Sequence, residues 1–143
     1  MKGEYNIMIR RREAREQALF YLYQSDLLDV DVDELIQMDL KNKKNIDQFT
    51  SKLVKGVKNN FKNLNEIINL HSSNWQIDRM SILDRNMLRI ALYEMMFEPE
   101  IPLKVTINEA VEISKKYGTN ESGKFVNGVL GKVVEYEKIK NKK

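Results

Sequence analysis

Apolar residues along the chain recur at steps of three and four, the spacing of one helix face, and only the short run 29–32 alternates as a half-buried strand would. Over 11–24, Ala14, Ala18, Tyr21 and Leu22 gather on one side of a helix, while Arg12, Arg15, Leu19 and Tyr23 descend another. A short helix is expected around 32–38, followed by an exposed turn at KNKKN (41–45). Phe49, Leu53, Val57 and Phe61 then repeat every four residues, with Lys52, Lys55, Asn59 and Lys62 on a different, basic face. Leu64, Ile67, Ile68 and His71 mark a further helix that ends at 72–74.

The second half begins at Trp75. Ser81-Ile82-Leu83-Asp84 has the form of a capping box, opening a helix with Leu83, Met87, Ile90, Ala91 and either Glu94 or Met95 inward. Pro99 and Pro102 interrupt the chain, because proline has no N–H to give a helix. Thr106-Ile107-Asn108-Glu109 reads as a second box, with Val105 and Ala110 as its hydrophobic staple. That helix is expected to end at Gly118, with Lys115 and Lys116 in its last turn. A final helix over about 120–137 turns Val126, Val129, Leu130 and Val133 inward. The pattern predicts an all-α fold of about seven helices. Two small three-helix bundles, 1–74 and 75–143, would pack into one compact unit, since no Gly/Ser/Pro-rich linker parts them and neither would be comfortable alone.

With 143 residues and 42% hydrophobic content, the chain has enough side chains for one core. The absence of Cys removes disulfides, thiolate nucleophiles and Cys-based zinc sites, and a single His removes multi-His metal sites. No cofactor or metal is expected. His71 is read as a packing or capping residue at a helix end. No run approaches the roughly 18 apolar residues of a membrane span, and the start MKGEYNIMIRRREAR lacks the apolar core of a signal peptide, so a cytoplasmic protein is expected. The chain has no Gly-rich phosphate loop and no G-x-S-x-G elbow. Asp78, Asp84, Glu94, Glu109 and Glu112 are the carboxylates considered for catalysis, but Asp84 and Glu109 already read as helix-start residues. The expectation is a binding protein and not an enzyme.

The net charge of +3 conceals blocks. Residues 10–15 hold four Arg and one Glu; 26–39 hold six acids and no base; 41–62 hold seven Lys and one Asp; 132–143 hold five Lys and two Glu. Several basic blocks with aromatics nearby fit an anionic polymer. Arg10, Arg11 and Arg12 are either a solubilising arm or an RNA-binding one, guanidinium being suited to both phosphates and base faces. In the last helix, Gly128 and Gly131 fall with Lys124 on the side away from the apolar face. Either that helix is simply weak and Phe125 is peripheral core, or a flat surface meets something external. In the second case Lys124, Phe125 and Asn127 supply a phosphate contact, a stacking ring and an amide for base edges.

The runs DRNMLRIALYE (84–94), IPLKVTINEAVEISKKYG (101–118) and SGKFVNGVLGKV (122–133), preceded by RRREAREQAL (10–19), resemble the transcription antitermination factor NusB family over nearly the whole chain. The resemblance implies two packed three-helix bundles. It also implies binding to the boxA segment of ribosomal RNA leaders, as a heterodimer with the small-subunit ribosomal protein NusE. The setting would be an antitermination complex with RNA polymerase and other Nus factors, which this chain reaches indirectly. By motif position, Arg10, Arg11, Arg12 and Arg15 would hold phosphates and bases, with Tyr23 beside them and Lys124, Phe125 and Asn127 as a second patch. Asp84 would face a basic residue of NusE, with Arg85 and Glu94 as further interface candidates. A relative of this fold fronts ribosomal RNA cytosine methyltransferases, but this chain has no Cys for that chemistry and stops at Lys143, so that enzyme is not expected. The alternative from another class is an all-α adaptor whose acidic segment and Asp84 surface recruit proteins, RNA contact being incidental.

Overall fold

The computed structural model describes residues 2–73, 75–137 and 139, with residues 2, 4 and 5 as backbone only. Asn74 of the central junction, and Lys138, Lys140, Lys142 and Lys143 of the lysine tail, lie outside the described residues. Among the described residues there are seven α-helices and no strand. They are α1 (Lys2–Leu28), α2 (Val32–Lys41), α3 (Gln48–Asn59), α4 (Phe61–His71), α5 (Ile82–Phe97), α6 (Leu103–Tyr117) and α7 (Asn120–Tyr136), with a short 3₁₀ turn at Ile77–Arg79 before α5. Among the described residues no helix is long and apolar enough to cross a membrane.

Helix α5 is the axle. It packs against α1, α3, α4, α6 and α7. Every residue from Asn86 to Met95 is buried, as befits a helix surrounded by others rather than lying on a surface. Its start matches the sequence pattern: the Ser81 hydroxyl accepts from the Asp84 N–H at 3.1 Å. One continuous core runs through both halves of the chain, joining Leu19 and Leu22 of α1, Leu53 and Val57 of α3, and Leu64 and Ile68 of α4 to Leu88 and Leu92 of α5, Ile113 of α6 and Leu130 of α7. Helix α3 approaches α5 closely because Gly56 has no Cβ; one built there would lie 2.1 Å from the Tyr93 ring.

Three boundaries differ from the sequence pattern. Helix α1 begins near the N-terminus rather than at Arg11, and its early turns carry exposed Ile7, Met8 and Ile9, since the first core contact is Ala14. The four-residue repeat from Phe49 to Phe61 spans two helices. At Asn60 both the backbone N–H (3.1 Å) and the side-chain amide (2.8 Å) bond the Gly56 carbonyl, which ends α3. Phe61 then opens α4 and stays exposed, with the Arg89 guanidinium 4.5 Å above its ring. Finally, Thr106 and Glu109 do not start α6. The helix begins at Leu103 with Pro102 in the N-cap position and no side-chain cap, Val105 is exposed inside it, and the Thr106 hydroxyl instead donates to Glu94 at 3.0 Å.

The acidic stretch folds back on the bundle. Lys58 bridges Asp31 (3.0 Å) and Asp33 (2.6 Å), and Tyr21 donates to Asp39. Asp26 receives the Arg85 fork (2.7 and 2.6 Å), the Asn86 amide (2.8 Å) and Arg89 (3.2 Å), which ties the end of α1 to α5. Burial alone would raise the Asp26 carboxyl, but the bonds from Arg85 and Asn86 and the charges of Arg85 and Arg89 prevail, holding it at about 2 against an ordinary 3.8. A carboxyl depressed in the folded state stabilises the fold above its unfolded pKa and loses that contribution as pH falls through the folded value. Urea unfolding at stepped pH should therefore show wild type losing about 2 kcal/mol more than Asp26→Asn between about pH 5 and pH 2, most of it below 4. Parallel profiles for the two proteins would contradict this.

Candidate nucleic-acid interface

Residues three or four apart share a helix face, so the four arginines of α1 cannot all point one way. Arg10 is exposed and its Nε bonds Asp47 at 2.9 Å, the same carboxylate that caps α3 through the Phe49 N–H at 2.8 Å. Arg11 lies over the Phe49 ring at 5.1 Å. Arg12 is half-exposed and forks onto Glu109 of α6 at 2.8 and 2.5 Å, and the bond to that carboxylate raises the pKa of its guanidinium.

Arg15 is different: it is 2% exposed, and its Nε and Nη2 fork onto Glu94 at 2.7 and 2.9 Å. Glu109 stands 3.5 Å from its other amine. A guanidinium enclosed in this way offers nothing to a polyanion, so the RNA contact expected of Arg15 is replaced by a structural one. Glu94, 0% exposed, is likewise no surface for NusE, because it is spent on Arg15 and Thr106 inside the bundle. Arg85 is committed to Asp26 and reaches outward only in part. Asp84 is half-buried, and burial pushes its carboxyl up against the opposing hydrogen bonds of Ser122 and Ser81. It lies in a groove with Trp75, Arg79, Glu121 and Phe125.

Tyr23 is exposed in part, on the same stripe of α1 as Arg12, Glu16 and Phe20. Phe20, Lys116 and Tyr117, none of which the sequence assigned to this surface, complete it. Phe20 meets Tyr117 edge-on at 5.1 Å, and Lys116 bonds Glu16 at 2.9 Å while standing 5.1 Å from the Tyr117 ring centre. The signal was available in the eleven-residue spacing of Arg12 and Tyr23, three helical turns, but the partner on α6 was not.

The second patch is built by α7. Thr119 caps it, accepting from the Ser122 N–H at 3.1 Å. Lys124 and Asn127 are exposed, and Phe125 is partly buried against the core. A Cβ at Gly128 or Gly131 would meet nothing within 4 Å, so these positions leave open helix backbone beside Lys124. Gly123 differs, being covered by the stem of Lys115, whose Cγ would lie 2.8 Å from an added Cβ. Helix α6, carrying Lys115 and Lys116, runs between the two basic surfaces.

Truncating Glu94 to Ala leaves Arg15 buried with only the more distant Glu109 as counter-charge. Breaking a buried pair in this way costs about 3–5 kcal/mol. Denaturant unfolding of Glu94→Ala should show that loss, and a cost under about 1 kcal/mol, the range of surface pairs, would show that the pair is not structural.

These features define an all-α helical-bundle protein with two basic, aromatic-bearing surfaces flanking one helix. The NusB family model matches residues 12–135, and the chain belongs to the NusB family. The transcription antitermination protein NusB of Bacillus licheniformis is 42% identical over 125 residues, covering 87% of this chain and 96% of its own. The solved T. maritima NusB superimposes with a TM-score of 0.77 at 36% identity, covering 87% of this chain and 90% of that one. A chain in a crystal structure of antitermination factors NusB and NusE in complex with dsRNA gives a TM-score of 0.77 at 32% identity, covering 88% and 96%.

Proposed function

We propose that this protein is a cytoplasmic RNA-binding antitermination factor, not an enzyme. It binds boxA RNA of ribosomal RNA leader transcripts as a heterodimer with NusE, within an RNA polymerase complex that holds the other Nus factors. The observation that carries the reading is the pair of exposed cation-and-aromatic surfaces on a fold whose relative was solved with NusE and RNA. The N-terminal half supplies Arg10, Arg11, Arg12 and Tyr23; the C-terminal half supplies Lys124, Phe125 and Asn127. Arg10 and Arg12 exchange Asp47 and Glu109 for phosphate, so association trades one set of charge-assisted bonds for another and is weak without a partner. Asp84, on the groove beside Glu121, is the acidic surface for a basic segment of NusE.

Affinity for boxA RNA and a scrambled RNA, with and without NusE, tests the proposal. With NusE the boxA sequence is preferred, and log affinity falls with log salt at about −0.7 per neutralised phosphate, near −3 if Arg10, Arg11, Arg12 and Lys124 each take one. Phe125→Ala weakens boxA binding by about 1–3 kcal/mol, the worth of one stacked base. Asp84→Lys lowers NusE affinity and leaves RNA binding by the free protein unchanged. Equal affinity for the two RNAs in the presence of NusE would overturn sequence-specific recognition.

A further inference from the structure

The single tryptophan of the chain has no place in the core. Trp75 is 51% exposed, although indole is among the side chains with most to gain from burial. Its backbone is nonetheless fixed. The Trp75 N–H donates to the Ser72 carbonyl at 3.2 Å, and the Trp75 carbonyl accepts from the buried Ser72 hydroxyl at 2.6 Å. A tight turn thus clamps a ring that is left half-exposed.

On one side of that ring lies a groove walled by α7, where Lys124, Phe125, Gly128 and Lys132 face Trp75. Lys132 bonds the Ser73 hydroxyl and so ties the far wall to the same turn. Among the described residues lining this groove none is acidic; Glu137 bonds the lining His71 at 2.7 Å, and Glu121 lies 3.5 Å from the lining Lys124. The groove on the other side of Trp75 differs in charge, with Asp84 and Glu121 in its wall against a single base, Arg79. Trp75 and Phe125 border both, and form the ridge between a basic trough and an acidic one.

We infer that the trough between Trp75 and α7 is a second stacking subsite for single-stranded RNA, with Trp75 as its ring and Lys132 as its phosphate contact. The inference rests on the proposed RNA-binding reading and extends it past Phe125 onto the turn before the 3₁₀ segment. Single strands bind where a basic groove tracks the backbone and aromatic faces receive successive bases. Here two rings border one groove, two lysines flank it, and the bare backbone at Gly128 lets a strand approach closely. Charge favours a nucleic acid over a protein segment on this side of the ridge; a basic protein segment fits the Asp84 side.

Because Trp75 is the only tryptophan of the chain, its fluorescence reports on this ridge, and a Trp75→Phe protein serves as the blank for any signal from NusE. Titration of the full chain with NusE and boxA RNA should quench Trp75 emission along the same curve that labelled RNA gives by anisotropy. Trp75→Ala weakens RNA binding about tenfold, Trp75→Phe by less than about threefold, and Lys132→Gln lowers the magnitude of the salt slope by about 0.7. The far-ultraviolet dichroism of each variant should match wild type. RNA binding with Trp75 emission unchanged and Trp75→Ala at wild-type affinity would overturn the subsite while leaving the proposed function standing. A Trp75 response to NusE alone, with no further change on adding RNA, would assign the ring to the protein partner instead. No RNA binding by any form would overturn both readings.

Discussion

The buried fork between Arg15 and Glu94 is the interaction on which the rest of the arrangement depends. Two charges removed from water are stable only when every donor and acceptor is answered. Here the completion comes from α6: the Thr106 hydroxyl on one Glu94 oxygen, and Glu109 within 3.5 Å of the remaining Arg15 amine. Three helices from both ends of the chain therefore meet at one ionic knot, and each must hold its register for the knot to close. A fork has direction as well as strength. It fixes the rotation of α1 about its own axis, and with it the direction in which Arg10, Arg11 and Arg12 leave the bundle.

A second polar knot, at the other end of α5, works alike. Asp26 gathers Arg85, Asn86 and Arg89, and Arg89 continues to Asn65 of α4 at 2.9 Å. Between the two knots α5 is buried all round, so the bundle is held by apolar packing in the middle and by directional charge at the ends. The net charge of +3 takes on a different meaning in this light. Much of the acidic stretch is neutralised from within, by Lys58, Arg85 and Arg89, while Lys124 and much of the α1 arm face solvent. Even there Asp47 and Glu109 hold Arg10 and Arg12, which orients both guanidiniums.

Helix count and core face were legible in the sequence because the three-and-four spacing of apolar residues survives folding unchanged. What misled were side chains with two possible uses. Thr106 and Glu109 have the spacing of a cap, but their hydroxyl and carboxylate find Glu94 and Arg12, which stand on other helices. Phe49 to Phe61 keep a perfect four-residue step across a break made by Asn60 and Gly56, neither of which alters the apolar pattern. Arg15 and Arg12 belong to one stripe on a helical projection, and only the neighbours Ala14, Ala18 and Leu19 hint that Arg15 faces inward. Glu94 gave a fairer signal, an acid beside Ile90, Ala91 and Met95 on the inner face of its helix, which calls for a buried partner. Trp75 gave none, since exposure of a ring depends on the turn that carries it.

The central claim is a division of labour within one short run: Arg15 holds the fold, and Arg10, Arg11 and Arg12 meet RNA. The guanidinium Nε–H resonances of the free protein, recorded again after addition of boxA RNA and NusE, test it directly. Arg15 should exchange slowly with water and stay unmoved, while the other three exchange faster and shift. Rapid exchange at Arg15, or an RNA-induced shift there as large as those of its neighbours, would contradict the account.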